Sequence, residues 1–248
     1  MSFHYLPKIV TDKLIFYVDA SNPKSYDTTG TTWNDISRNN NNGFLTNGPT
    51  YNSSNLGNIV FDGTNDFVQF NSIPILQFTN TQPYSISSWF YWTPSTTTFY
   101  TVFSYGDVAG LFPTTGDKAY HIMLDSGVLS TQSFLFDYYD GSAYKSLQGN
   151  VGVVPQNSWV NFVATSGTIN STAGMKVYIN GNLASSFTRF GSGSPSSINY
   201  TGCNVNIAAR DATTFFNGKI ASTMVYNKEL SSDEVYMNYL AMKGRFNL

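Results

Sequence analysis

The feature that most constrains this chain is a succession of short apolar runs, each ended by turn residues. Residues 27 to 58 differ, because they are mostly Gly, Asn, Thr and Ser and are typical of loops. Runs of this length and spacing predict strands, and so many of them predict an antiparallel two-sheet β-sandwich. The predicted strands cover residues 14–19, 58–62, 66–70, 84–92, 99–105, 119–124, 133–139, 159–166, 175–179, 183–187, 205–209 and 219–226.

One local motif fixes a hairpin within this series. The segment MKVYINGNLASSF alternates apolar and polar residues on both sides of Asn180-Gly181. A two-residue turn of type I′ needs a positive φ at both central positions, and Asn-Gly adopts that conformation readily. The sequence therefore predicts that the strand ending at Ile179 turns back directly after Gly181.

The last segment changes from a strand period to a helical period. Ser231 is placed to cap a helix, and Glu234 completes a capping box three residues later. Leu230 and Val235 flank the cap, where they can form a hydrophobic staple. We therefore predict one short helix over about residues 231–243, closing an otherwise all-β chain.

Charge and composition exclude several classes of function. Only 11 % of the residues are charged, and 13 basic against 15 acidic residues give a net charge of −2. Such a chain has no basic footprint for a nucleic acid and no Lys/Arg run for a membrane surface. No apolar stretch approaches the roughly 18 residues of a membrane-spanning helix. No linker divides the chain, so we expect one domain over residues 1–248, without a nucleic-acid partner and without membrane insertion.

Three segments resemble the laminin G-like branch of the concanavalin A-like lectin/glucanase superfamily. IVFDGTNDFVQF at residues 59–70 is similar to a strand-turn-strand motif of that branch. PYSISSWFYW at 83–92 and MKVYINGN at 175–182 are similar to its central strand and its Asn-Gly hairpin. GKIASTMVYNKELSSDEVYMNYLAMKGRF at 218–246 is similar to its closing strand and helix. The resemblance spans nearly the whole chain and implies a concanavalin A-like jelly roll.

A narrower resemblance concerns the beginning and the end of the sequence. LIFYVDASNPKSY…TTWNDIS and the KGRF ending are similar to virion structural proteins of tailed bacteriophages. This resemblance implies a non-enzymatic capsid decoration, head-fibre or tail-associated subunit, made in the host cytoplasm, with other virion proteins and surface glycans as partners. The absence of a signal-peptide pattern in residues 1–13 fits that origin. The alternative is an extracellular carbohydrate-binding module or adhesin of a bacterial surface, and the oligomeric state is open, a homo-oligomer included.

Catalysis is disfavoured by the carboxylates that the chain carries. Superfamily members that cleave β-glucans use a Glu-x-Asp-x-Glu strand motif, in which one glutamate is the nucleophile and the other the acid/base. This chain has two glutamates, Glu229 and Glu234, both at the start of the predicted helix. Asp137 and Asp140 have the spacing of a strand end and a turn, and His121 is typical of a satisfied strand histidine. We therefore expect no enzyme, with a glycoside hydrolase or polysaccharide lyase as the least favoured alternative.

Calcium is the metal that the sequence allows. It takes carboxylate and carbonyl oxygens, often from loops next to strand ends. Turn chemistry explains the same residue types without an ion, so both interpretations stay open. The candidate ligands are Asp19, Asp62, Asn65 and Asp66.

A sugar site would combine aromatic faces with hydroxyl and amide partners. In residues 84–92 aromatic side chains alternate onto both faces, which predicts a central strand and leaves the binding face undetermined. Each candidate ring has a place in the core as its alternative. The candidate glycan contacts are Tyr91, Trp92, Tyr100, Tyr138, Tyr139 and Tyr144, with Arg210 as an ion pair or rim contact.

Overall fold

The strands of the protein pair antiparallel and build two sheets. The structure is a computed structural model that describes residues 7–95, 99–107, 118–126, 132–168, 171–210 and 214–248. The first strands are β1 (Leu14–Asp19), β2 (Thr32–Trp33), β3 (Gly43–Thr46), β4 (Thr50–Asn52), β5 (Asn58–Asp62), β6 (Phe67–Phe70), β7 (Tyr84–Trp92), β8 (Phe99–Asp107) and β9 (Lys118–Asp125). The remaining elements are β10 (Gln132–Asp140), β11 (Tyr144–Asn150), β12 (Trp159–Ser166), β13 (Met175–Ile179), β14 (Asn182–Leu183), β15 (Phe187–Ser192), β16 (Asn204–Ile207), β17 (Asn217–Tyr226) and helix α1 (Ser232–Met242).

The two sheets face each other as a sandwich. Within the described ranges, sheet I has the order β14-β13-β12-β7-β17-β5-β4, with β1 also paired to β17. Sheet II has the order β15-β11-β10-β9-β8-β16-β6-β3-β2. The chain passes repeatedly from one sheet to the other, as in a jelly roll. The predicted antiparallel two-sheet sandwich with one short helix is confirmed.

An aromatic core fills the space between the sheets. Ile86, Phe90 and Trp92 of β7 meet Phe136 and Tyr138 of β10 there, all fully buried. Burying a ring of this size stabilises the fold by roughly 2–3 kcal/mol. Because side chains alternate along a strand, the remaining residues of each strand point away from this core. The residues at the outward positions therefore determine what each sheet can contact outside the core.

The outward face of sheet I is covered by the end of the chain. The ring of Trp89 stacks on that of Phe246, with centroids 4.3 Å apart, and on that of Tyr239 at 5.8 Å. The predicted capping box of Ser231 and Glu234 is present in both directions. The α-helix begins at Ser232 and ends at Met242, and a 3₁₀ turn continues it over Lys243–Phe246. No helix in the described part of the chain is long and apolar enough to cross a membrane.

Arg245 ties this closing turn to the first strand. Its Nη1 donates to Asp19 Oδ1 at 2.8 Å, and its Nη2 and Nε donate to the carbonyls of Gly57 and Asn55. Asn55 in turn accepts a hydrogen bond from the indole of Trp159 at 3.0 Å. The KGRF ending is therefore part of the folded structure.

The hairpin prediction is confirmed, whereas several short strands were missed. Asn180 and Gly181 have φ values of 51° and 79°, and Ile179 pairs with Asn182. Strands β2, β3 and β4 lie in the segment predicted as loop, β11 was not predicted, and residues 183–187 divide between β14 and β15. Several of these strands lie at or near a sheet edge. Backbone pairing rather than an apolar pattern stabilises such strands, so the sequence gives a weak signal.

Candidate functional site: the outer face of sheet II

A row of polar side chains crosses the outward face of sheet II. Its members lie directly opposite one another on five neighbouring strands, β11, β10, β9, β8 and β16. None is more than 3 % exposed, although they point away from the apolar core. The row consists of Ser146, Asp137, His121, Ser104 and Asn206.

The centre of the polar row is a buried histidine–aspartate pair. His121 Nε2 lies 3.1 Å from Asp137 Oδ2. Burial lowers the pKa of His121, against the opposing effect of the Asp137 carboxylate, and the charge of Arg210 lowers it further. The imidazole is therefore neutral at pH 7, with Nε2–H donating to Asp137 and Nδ1 left as an acceptor.

Three atoms of the polar row lack a hydrogen-bond partner within the residues that the structure describes. They are His121 Nδ1, Asp137 Oδ1 and Asn206 Oδ1. A buried polar atom without a partner costs about 1–3 kcal/mol. Trp89 Nε1, Asn161 Oδ1 and Ser222 Oγ on the outward face of sheet I are in the same situation, so these atoms alone do not mark a ligand site.

Arg210 lies on the same outward face. Its side chain is 2 % exposed, and its Nη1 lies 3.2 Å from the sulfur of Met123. The sequence placed Arg210 in a loop ion pair or at a rim. Asp211, which follows Arg210 in the sequence, lies outside the described residues.

Next to the polar row, sheet II presents an aromatic surface. Tyr139 and Tyr144 lie opposite each other on β10 and β11, and their rings stack at 5.1 Å with 9° between the planes. Both are half-buried, and Phe190 on the edge strand β15 is 42 % exposed. Thr188 and Ser192 flank Phe190 on the same face and are exposed. We call Tyr139, Tyr144, Phe190, Thr188 and Ser192 the aromatic platform.

The turn between β10 and β11 holds the platform in place. Asp140 accepts backbone hydrogen bonds from Ser142, Ala143 and Ser196, at 2.8, 2.7 and 2.6 Å. Burial opposes its ionisation, but these donors together outweigh burial and hold the pKa of Asp140 well below its usual range. The two tyrosines that flank the turn are therefore positioned before any ligand arrives.

Three other sequence candidates lie in the core. Trp92, Tyr100 and Tyr138 have no exposed surface. The indole of Trp92 donates to Pro155 O at 2.8 Å, and the hydroxyl of Tyr138 donates to Ser196 O at 2.9 Å. Their rings fill the space between the sheets and present no face to a sugar. The reason is register, because each falls on the inward side of its strand.

Tyr91 lies on the opposite side of the molecule. It is half-buried on the outward face of sheet I, where its ring meets Trp159 edge-on at 6.0 Å. The ammonium of Lys219 lies 5.3 Å from the centre of the Tyr91 ring. Tyr91 is therefore separate from the aromatic platform.

The four candidate calcium ligands lie in two places. Asp19 is opposite Ser222 and Asp62 is opposite Asn217, five residues apart along β17. Asp19 is engaged by Arg245, as described above. In the described part of the chain, no group of three or more His, Cys, Asp or Glu side chains is arranged to hold a metal ion.

Turn chemistry accounts for the second set of these residues. Asp62 accepts hydrogen bonds from the backbone of Thr64 and Asn65, at 2.8 and 3.3 Å, and the bond from Thr64 is the main cause of its lowered pKa. Asp66 accepts from the backbone of Asp62 at 3.1 Å, while burial raises its pKa. Calcium binding stays a prediction.

The glutamates have structural partners near helix α1. Glu229 pairs with Lys176 at 2.6 Å, and Glu234 pairs with Lys228 at 2.6 Å besides capping the helix. Asp137 is bonded to His121 and Asp140 closes a turn, so these aspartates do not act as a pair. The prediction of a strand end was wrong for Asp137, which lies inside β10, whereas Asp140 is the last residue of β10 and closes the turn as predicted.

Sequence reasoning missed Phe190, Thr188 and Ser192. All three lie on β15, whose segment FTRFGS has one charged residue and ends in small residues. Their spacing of two residues in the sequence could have indicated them, since it places Thr188, Phe190 and Ser192 on one face of a strand.

Comparisons with known proteins agree with this architecture. A laminin G-like family model, described as the concanavalin A-like lectin/glucanases superfamily, matches residues 62–236. A search of curated proteins gives no significant match. The receptor binding domain of a botulinum neurotoxin of the C/D mosaic serotype superposes with a TM-score of 0.64 at 15 % identity, over 93 % of this chain and 51 % of that one.

Two further solved structures have the same fold. The binding domain of Paraclostridial Mosquitocidal Protein 1 superposes with a TM-score of 0.63 at 14 % identity, over 92 % of this chain and 52 % of that one. Trypanosoma rangeli sialidase in complex with sialic acid gives 0.60 at 13 % identity, over 94 % of this chain and 33 % of that one. The chain thus spans a third to about half of the length of these proteins. Because the family model covers well over half of the sequence, the chain belongs to the laminin G-like family of the concanavalin A-like lectin/glucanase superfamily.

Proposed function

We propose that this lectin-type domain binds glycans on the aromatic platform of sheet II, without cleaving them. The observation that carries the proposal is the stacked pair of Tyr139 and Tyr144, half-buried on a face that does not belong to the core. The exposed residues Thr188 and Ser192 lie beside this pair on the same face. An aromatic surface bordered by convergent polar groups is the usual composition of a small-ligand site.

The platform matches the chemistry of a sugar ring. A pyranose has an apolar C–H face and a rim of hydroxyls, so it needs an aromatic face and hydrogen-bonding groups close together. Tyr139 covers one face of the Tyr144 ring, and β15 flanks β11 on the side away from β10. There the hydroxyls of Thr188 and Ser192 are exposed and can exchange hydrogen bonds with sugar hydroxyls.

Binding rather than cleavage is supported by the carboxylates. Hydrolysis with two carboxyl groups needs both of them beside the scissile bond. Glu229 and Glu234 are engaged at the helix on sheet I, and Asp137 is buried against His121. Two of the similar structures are described as binding domains, and the sialidase was solved with sialic acid, which also supports a glycan ligand.

A glycan array, probed with and without calcium, is the first test. The strongest uncharged ligand is then titrated against the wild type and Tyr144→Ala by calorimetry. We expect an affinity loss of at least about tenfold, equivalent to roughly 1.4 kcal/mol, because the sugar loses its stacking face. An array without any binding would contradict the proposal.

Tyr236→Ala is the matched control for this titration. Tyr236 is 47 % exposed on helix α1, on the other side of the sandwich. Its removal deletes the same side chain from a surface without the platform, so the affinity should be unchanged. Equal losses in Tyr144→Ala and Tyr236→Ala would place the glycan elsewhere.

We also propose that the domain serves in a tailed-phage virion, with other virion proteins as neighbours. The support is the similarity of the opening segment and the KGRF ending to phage structural proteins. In the folded chain these two segments meet, since Arg245 binds Asp19. Mass spectrometry of purified particles should find this chain, and its absence from them would overturn the virion role in favour of a bacterial surface module or adhesin.

A further inference from the structure

A polar cleft lies where the loop after β2 passes beside β1. It has a volume of about 390 Å³ and opens to solvent. The residues that line it include two cations and three amides. They are Lys24, Arg38, Asn34, Asn40 and Asn42, together with Asp35 and Ile36.

The loop is held firmly along the free edge of β1. Ile36 N donates to Tyr17 O at 2.8 Å, and Tyr17 N donates to Asp35 Oδ1 at 3.0 Å. The side chain of Asn39 donates to Ile15 O at 2.8 Å. These hydrogen bonds fix the loop against the edge of β1. The cleft is therefore formed before a ligand binds.

The two cations of the cleft lack an ionic partner. Neither Lys24 nor Arg38 forms an ion pair with a carboxylate in the described ranges, and both side chains are exposed beside the same cleft. Arg38 has a φ of 88°, a conformation that few residues other than Gly, Asn and Asp adopt readily. The backbone of the loop is therefore strained at Arg38, the residue that carries the guanidinium.

The cleft contains one carboxylate, and its oxygens are already used. Asp35 is 4 % exposed. Besides Tyr17 N, its Oδ1 accepts from Ser37 N at 2.8 Å. Its Oδ2 accepts from the backbone and the side-chain amide of Asn41, both at 3.1 Å. Four donors thus compensate the Asp35 charge, and the cleft presents Lys24 and Arg38 to solvent with a net positive charge.

We propose that this cleft binds the oxyanion of an acidic saccharide, a carboxylate or a sulfate group. Arg38 offers a planar fork of donors that suits either group, and Lys24 adds a compact positive charge. The amides of Asn34 and Asn40 border the same space and can bind neighbouring hydroxyls. The inference rests on the proposed glycan binding, because a saccharide carries the anion, and it adds an acidic class of ligand and a second contact surface.

Fluorescence polarisation with three labelled oligosaccharides tests this inference. The probes are a sulfated heparin octasaccharide, a galacturonate hexasaccharide and neutral maltohexaose. The wild type should bind at least one acidic probe at least about tenfold more tightly than maltohexaose, and raising the salt concentration should weaken that binding. The better of the two acidic probes identifies sulfate or carboxylate as the preferred group. Equal affinity for acidic and neutral probes would overturn the inference.

Three variants locate the effect. Arg38→Asn removes the fork and retains a residue that tolerates a positive φ, and Lys24→Gln removes the second charge. Each should weaken the acidic probe about tenfold or more. Lys243→Gln deletes one cation from the closing 3₁₀ turn and should change nothing. Equal weakening by Arg38→Asn and Lys243→Gln would overturn the inference, since only overall charge would then matter.

Tyr144→Ala separates this inference from the proposed function. If binding of the acidic probe depends on Arg38 while Tyr144→Ala has no effect on any glycan, the platform proposal fails and the cleft stands. If Tyr144→Ala abolishes binding of an uncharged array ligand while neither acidic probe binds the wild type, the cleft fails and the platform stands.

Discussion

The outward faces of the two sheets differ although both sheets share one core. On sheet I, Trp89 and Met224 belong to an apolar cluster that Val235 and Phe246 of the closing segment complete. On sheet II, the equivalent outward positions hold the polar row with His121 at its centre. The chain thus covers the face of sheet I with its final helix. The face of sheet II carries the buried polar row, a buried apolar cluster of Phe99, Met123 and Leu135, and the partly exposed aromatic platform. In this fold, the outward residues of sheet I therefore contribute to stability, whereas those of sheet II include the proposed ligand-binding surface.

The two faces differ in the apolar area that other parts of the chain bury on them. Sheet I gains roughly 2–3 kcal/mol for each large apolar side chain that the closing segment buries. Within the described residues, buried polar atoms without partners, which cost about 1–3 kcal/mol each, occur on both outward faces. They include Trp89 Nε1 and Asn161 Oδ1 on sheet I, and His121 Nδ1 and Asp137 Oδ1 on sheet II. We therefore expect variants beneath the closing segment to lower stability without changing binding, and variants of the aromatic platform to do the reverse.

The largest effect on stability is expected from Trp89→Ala. This substitution leaves a cavity between sheet I and Phe246, and the free energy of unfolding should fall by about 3–5 kcal/mol. Urea unfolding measures the loss, and titration of the folded fraction should show an unchanged glycan affinity. A folded Trp89→Ala protein of normal stability that no longer binds the glycan would reverse the assignment of the faces.

Arg245→Ala should be the next most destabilising change on the sheet I side. It leaves the buried carboxylate of Asp19 without its cation, a loss of about 3 kcal/mol in the free energy of unfolding. Lys243→Ala, two residues earlier, removes a half-buried cation that lies 5.6 Å from the ring centre of Tyr239, and should lower stability by no more than about 1 kcal/mol. Similar losses in both variants would show that the ion pair with Asp19 is not what anchors the closing turn.

On sheet II, His121 should make stability depend on pH. Burial lowers its pKa below the value of about 6.5 expected for the unfolded chain. The unfolded state therefore binds the proton more readily, and the stabilisation present above pH 6.5 is lost as the pH falls. The slope for this one group is at most about 1.4 kcal/mol per pH unit. Urea midpoints between pH 7.5 and 5.5 should fall in the wild type and stay flatter in His121→Gln, and identical slopes would contradict the buried neutral imidazole.

The smallest expected effect compares two serines. Ser231→Ala removes the helix cap on the sheet I side and should lower the free energy of unfolding by about 1 kcal/mol. Ser192→Ala, on the exposed edge strand of sheet II, should leave stability within about 0.5 kcal/mol and weaken glycan binding. Thermal melts and calorimetric titrations of both variants sharpen the comparison, and a reversed order would contradict it.

Local signals explain which parts of the fold were predictable. Asn180-Gly181 and the Ser231–Glu234 capping box are short motifs with their own physical cause, and both occur as predicted. The alternation of aromatic residues onto both faces of β7 also correctly predicted a central strand. The pairing of Arg245 with Asp19 was not predictable, because 226 residues separate them and no periodic pattern joins them.

The site was less predictable than the fold. Alternation along β10 assigns Tyr138 and Tyr139 to opposite faces without showing which face is inward. The structure places Tyr138 in the core and Tyr139 on the platform. Phe190 could be identified only by recognising β15 as an edge strand, and the sequence of β15 has no apolar face. Tertiary packing, which a single sequence does not display, decided each of these cases.

The central claim is that glycans bind to sheet II and not to the sealed face of sheet I. Hydrogen–deuterium exchange with and without the strongest uncharged array ligand tests it most directly. Slower exchange in peptides from β10, β11 and β15, with unchanged exchange in β12, β13 and helix α1, is the predicted result. Protection confined to β12, β13 and helix α1 would contradict the claim.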